Sequence, residues 1–210
     1  MIVSYNVKGV GDTLIIITGN SEGTDVSATR LGNVACVKRE DTGEIVGWNI
    51  FEASHSVTQL EGDGQIKLTP SQMTEINHAL KEAGFEEELI LDNSPKFVIG
   101  HVKTCVKHED SDHLHVTEIE VDNGEVLQIV CGASNIREGL KVVVAKVGAM
   151  MPNGLIIWPG ELRGVASSGM VCSAKELQLA NAPEKKGILE LPEEAKTGEE
   201  FTFNVSTNEY

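Results

Sequence analysis

The residues best equipped for chemistry fall in a few short stretches. Residues 163–173 read Arg-Gly-Val-Ala-Ser-Ser-Gly-Met-Val-Cys-Ser. Ser167, Ser168 and Ser173 offer hydroxyls, Gly169 a flexible backbone, Met170 an adaptable apolar contact, and Arg163 a permanent charge. Hydroxyls and backbone N–H groups bond phosphate and ribose 2′-OH groups, and an apolar side chain rests against a base or ribose. The plainer alternative makes Val171 and Cys172 core residues and Gly164 and Gly169 simple bends.

Four histidines, His101, His108, His113 and His115, lie within fifteen residues. His113 and His115 would share one face of a strand, with Cys131 as a third donor. No standard zinc spacing is present, so solvated or core histidines are expected, and no metal. Cys172 stands between hydroxyls, but no motif fixes a base beside it. An inert core thiol is expected, with no catalytic residue. Gly9-Val10-Gly11-Asp12 lacks the glycine-rich patterns that cradle phosphates at a helix start, so no cofactor is expected. Cys36, Cys105, Cys131 and Cys172 form no CxxC pair and are expected to be reduced, in a cytoplasmic protein. No apolar run approaches membrane-spanning length, and the N-terminus lacks the pattern of a secretory signal, so no membrane association is expected.

The formal net charge is −15 over 210 residues. That disfavours simple electrostatic capture of a polyphosphate. The charge is uneven: residues 1–93 carry −9, residues 94–175 only −1, and residues 176–210 carry −5. The near-neutral middle is where a local basic face is expected, if there is one.

These residues must be positioned by the surrounding elements. Residues 2–7, 14–18, 34–39 and 44–51 read as strands, the last two joined by the turn Asp41-Thr42-Gly43. Thr69-Pro70 reads as a helix start. Met73, Ile76, Ala79, Leu80 and Ala83 share a helical face, and Gly84 ends it. A polar stretch at 91–95 marks a boundary. Beyond it, residues 97–107, 113–121, 126–130, 141–147 and 155–158 read as five short strands with one brief helical turn near 134–137. That pattern fits a closed Greek-key barrel. The fold class is therefore mainly β: a small acidic α+β domain (1–93), then an OB-fold β-barrel with a C-terminal extension (94–210). Residues 187–191 and 201–205 supply β signals in the extension.

From residue 100 to 191 the blocks come in a recognisable order. They are Gly100-His101-Val102, His108 to Leu114, Ile129-Val130-Cys131-Gly132-Ala133-Ser134-Asn135-Ile136, Gly148-Ala149 with Pro152 and Gly154, and Arg163 to Ser173 with Glu176-Leu177 behind it. This stretch resembles the tRNA-binding module of EMAP-type proteins and of bacterial phenylalanyl-tRNA synthetase β-subunits. With Tyr5-Asn6, Asn49-Ile50-Phe51 and Ser94-Pro95-Lys96-Phe97 included, the whole chain resembles the YtpR-type tRNA-binding proteins. The resemblance implies a noncatalytic protein that binds tRNA by shape and backbone, without DNA specificity. It implies that Asn135, Ser167, Met170 and Ser173 lie on the RNA face, with Arg163 supplying charge. The family usually has Pro at Glu109 and Lys at His113, so His113 replaces a permanent charge on that face. Such modules often pair through residues after the barrel, so a homodimer is expected. The alternative reading is a protein-interaction or scaffold module, with the acidic N-terminal domain contacting a protein partner and the barrel acting as a dimer interface.

Overall fold

The computed structural model describes residues 1–203 except 181, 184 and 185. Two compact units divide at Ser94/Pro95.

The first unit contains strands β1 (Ile2–Asn6), β2 (Thr13–Ile17), β3 (Val26–Leu31), β4 (Val34–Arg39), β5 (Ile45–Phe51) and β6 (Asp63–Gln65), with buried apolar residues on β1, β2, β4 and β5. They form one antiparallel sheet in the order β3-β4-β5-β2-β1-β6. Two single-turn helices, α1 (Val7–Val10) and α2 (Ala53–Ser56), interrupt the strands. The longer helix α3 (Pro70–Ala83) starts where sequence signals put it. Thr69 and Gln72 form a reciprocal capping box, Pro70 opens the first turn, and Gly84 closes the helix at a φ of 104°. Its buried Met73, Ile76 and Leu80 join Leu14, Ile16, Trp48 and Ile50 in one core. Full burial of each such side chain contributes roughly 1.5–3 kcal/mol. Phe85 packs edge-on against Trp48 at 5.0 Å between ring centroids. Strand β3 carries no periodic signal in the sequence, because Val26–Leu31 is exposed throughout and lacks an inward apolar face.

The second unit contains β7 (Phe97–Lys107), β8 (His115–Glu120), β9 (Val126–Cys131), β10 (Lys141–Lys146), β11 (Gly160–Leu162), β12 (Val165–Ser167), β13 (Gly169–Val171) and β14 (Glu190–Leu191). The main sheet runs β13-β10-β7-β8-β9, with β14 also on β10. The long β7 pairs with β10 through its first half and with β8 through its second, bending at an irregularity between Val102 and Thr104. The barrel closes from β9 to the β12–β13 corner, where Ser168 N–H donates to the Gln128 carbonyl at 2.8 Å. This is the OB-type arrangement. Gly100 is required at the tightest point. A Cβ there would come within 2.6 Å of Ile119 Cγ2 and 2.7 Å of Val144 Cγ2.

Two details differ from the sequence expectation. The fifth barrel strand is Gly169–Val171, not residues 155–158, which make only an isolated bridge from Ile156 to Met150. Both segments are short and apolar, and pairing with β10 chose between them. In addition, β10 has four consecutive buried residues, Val142 to Ala145, because the extension covers its second face. Phe201 and Phe203 pack there beside Phe97. Residues 198–201 run along the start of β7 through backbone bonds to Phe97 and Ile99. Of the β signal at 201–205, residues 201–203 are not in a strand, and 204 and 205 lie outside the described residues.

Candidate nucleic-acid interface

The end of β9, the loop after it, β13 and residues 186–190 of the extension surround a groove of about 710 Å³. Buried Val130, Cys131, Val171, Ala174 and Ile188 make its floor. Asn135, Met170 and Ser173 line it, all half-buried. Lys175, Lys186, Glu176 and Glu190 are exposed at its margin. Three of the six residues singled out in the sequence therefore converge on one surface.

Each is positioned by local chemistry. Met170 faces Ala145 in the β13–β10 register and packs partly against the outer core. Ser173 caps the turn that follows β13. Its Oγ accepts from Glu176 N–H at 3.2 Å, and the Glu176 carboxylate accepts from Ser173 N–H at 2.7 Å. This is a capping-box exchange at a single turn. Asn135 is bonded in both directions to Ile188: its Oδ1 accepts from the Ile188 N–H at 3.0 Å and its Nδ2 donates to the Ile188 carbonyl at 3.1 Å. Nδ2 also donates to Glu190, whose other oxygen takes a bond from Arg137 at 2.9 Å.

The other three residues stand elsewhere. Ser167 is only 5% exposed. Its Oγ accepts from Val130 N–H at 3.1 Å and donates to the Gly169 carbonyl at 3.3 Å, holding the barrel seam. His113 is exposed and lies beside Gly132, at the groove's edge. Arg163 occupies the β11–β12 turn with φ 48° and donates to the Asp110 carbonyl at 2.7 Å. That hairpin has a second anchor the sequence did not disclose. Buried His108 accepts the Asp110 N–H on Nδ1 at 3.0 Å, which leaves Nε2–H to donate to the Leu162 carbonyl at 3.2 Å. A histidine bonded only to backbone has no sequence signature.

Burial raises the pKa of the thiols. Desolvation pushes Cys172 up to about 12, with Glu176 adding to the rise. Cys36, Cys105 and Cys131 are also raised, chiefly by burial. All four cysteines are free. Among the described residues, no three His, Cys, Asp or Glu side chains are grouped to hold a metal ion. Among the same residues, no helix is long and apolar enough to cross a membrane.

The face usually used by OB barrels, the outside of strands two and three, is here β8–β9. It presents exposed Glu118, and Gln128 is occupied by a bond to the Ala166 carbonyl at 2.8 Å.

Residues 97–200 match the family model described as "Putative tRNA binding domain", and residues 21–92 match "Domain of unknown function (DUF4479)". The chain is 46% identical over 199 residues to the Bacillus subtilis "Putative tRNA-binding protein YtpR", covering 95% of this chain and 98% of that one. It is 45% identical over 138 residues to the phenylalanine–tRNA ligase β subunit of Rickettsia bellii, covering 64% of this chain but only 16% of that subunit. A crystal structure of a MetRS-related protein from Pyrococcus horikoshii aligns over 49% of this chain and 84% of its own, at 25% identity and a TM-score of 0.36. Because that YtpR relative is 46% identical and is matched over nearly its whole length, the chain belongs to the YtpR family.

Proposed function

We propose that this protein binds tRNA without catalysis, in the cytoplasm, through the groove of its C-terminal unit. The observation that carries the reading is the convergence of Asn135, Met170 and Ser173 on one surface within the region matched to the tRNA-binding domain model. Arg163 at the β11–β12 turn and His113 at the groove's edge are the remaining candidates for RNA contact. Ser167 contributes by holding the seam beneath it. With a net charge of −15, binding relies on neutral hydrogen bonds to phosphate and 2′-OH groups more than on cations. The salt dependence is therefore shallow beside that of a Lys/Arg-driven binder. Filter binding with bulk tRNA, duplex DNA and a polyanion control, across salt, tests this. Retention of tRNA no better than the polyanion control would overturn it.

A homodimer formed through the extension would double the RNA-contacting surface, and light scattering showing a monomer throughout the micromolar range would remove it. The N-terminal unit, which carries −9 over residues 1–93 and exposes all of β3, is assigned to contact a protein. The 94–210 region is proposed to fold alone, because each unit has its own core.

A further inference from the structure

We infer that the groove receives a single unpaired nucleobase, with its phosphate left outside at the margin. This rests on the RNA-binding reading and narrows it. The floor is buried and apolar, made by Val130, Cys131, Val171, Ala174 and Ile188. A phosphate in such a floor would lose its hydration without gaining a charge partner, a cost of several kcal/mol or more. A nucleobase carries no charge and gains by burying its faces. About 710 Å³ lies within the range of small-ligand pockets, roughly 300–1,000 Å³, and so has room for a nucleoside.

The polar groups divide along the same line. Lys175 and Lys186 are at the exposed margin, where a backbone phosphate would pass. Of the two carboxylates there, Glu190 is paired with Arg137 and Glu176 accepts from the Ser173 backbone. Their negative charge is thus partly offset where the phosphate would run. Among the described residues no aromatic side chain lines the groove, so none of them offers the base a ring to stack on. The polarisable thioether of Met170 offers the face contact instead. Two glycines, Gly132 and Gly187, bring bare backbone to the lining, where N–H and C=O groups can meet a base edge. A helical segment, whose bases are paired and stacked, cannot fill this site without losing a pair. The protein would therefore select unpaired nucleotides within a folded RNA.

Competition against bound tRNA tests this with the unaltered full chain. The competitors are an unpaired RNA of about twelve nucleotides, sized for one OB fold, and the perfect duplex of the same sequence. The unpaired strand should compete at least about tenfold better. A 2-aminopurine placed in the unpaired strand should change its fluorescence severalfold on binding, as its base leaves its neighbours. Ala133→Trp, which fills the groove from its lining, should weaken tRNA binding at least about tenfold while the melting curve stays cooperative. Should that variant fail to fold, the competition and fluorescence measurements on the parent still decide. Equal competition by the duplex, or unchanged 2-aminopurine fluorescence at saturation, overturns the base-pocket inference while leaving tRNA binding in place. Failure of the parent to bind any RNA overturns both.

Discussion

Asn135 and Ile188, 53 residues apart, are joined by a two-way hydrogen bond between one side-chain amide and one backbone unit. This clasp fixes residues 186–190 as a wall of the groove. It also explains Gly187: at φ 148°, a Cβ there would lie 2.7 Å from Asn135 Oδ1. Asn135 thus sets the shape of the groove.

Asn135→Ala should open that wall. Two buried or half-buried backbone groups of Ile188 lose their partner, at about 1–3 kcal/mol. Hydrogen exchange at residues 186–190 should accelerate, and tRNA affinity should fall about tenfold. Asn135→Asp should be no better, because it loses the donor and sets a second carboxylate against Glu190. Unchanged exchange in Asn135→Ala would show that the wall does not depend on the clasp.

Ser167→Ala should lower stability rather than affinity. It strips the Val130 N–H of its acceptor at the barrel seam, costing about 1–3 kcal/mol. Denaturant unfolding should show this loss, while tRNA binding at a temperature where the protein is folded should stay within about twofold of the parent. Met170→Asp should do the reverse: a half-buried carboxylate on the groove should weaken tRNA binding about tenfold or more, about 1.4 kcal/mol.

Gly100→Ala should destabilise the barrel by roughly 1–3 kcal/mol, since the added methyl meets Ile119 and Val144 and the core has no slack. The melting transition of the C-terminal unit should shift down while that of the N-terminal unit holds. A neutral outcome would mean that β7 can move away from β8 and β10.

In the N-terminal unit, Asp12 is held below its usual pKa of 3.8, first by the Ser54 hydroxyl and then by Tyr5 and the Ser54 N–H, against the opposing effect of burial. Because the folded pKa is depressed, this stabilisation is complete above the unfolded value and is lost as pH falls below it. Asp12→Asn should therefore melt lower than the parent at pH 6, and the difference should shrink as pH drops toward 3. A difference that stays constant with pH would assign the loss to geometry alone.

Native-state alkylation at pH 8 should spare Cys172. Burial lifts its pKa to about 12, so almost no thiolate forms. Modification should appear only when denaturant unfolds the barrel. Rapid labelling of Cys172 in the folded protein would contradict its place in the outer core.

Some of this protein was settled by local sequence alone. Capping of α3 depends on Thr69, Pro70, Gln72 and Gly84, which are near neighbours, so the helix was readable without the fold. The apolar alternation of β1 and β2 and the hairpin turn at Gly43 are equally local. The ordered blocks from Gly100 to Ser173 carried the family resemblance, and with it the barrel. Tertiary structure decided whatever depends on contacts between distant segments. The run 163–173 shows three serines of equal chemical promise, yet barrel closure turns Ser167 inward onto Val130 while Ser173 remains at the groove. Residues 155–158 and 169–171 are both short and largely apolar, and pairing with β10 makes the second one a strand. The partner of Asn135, Ile188, lies 53 residues away in a wall that no periodicity reveals. A polar side chain's role depends on which partner reaches it first, and for these residues only the folded chain brings that partner close.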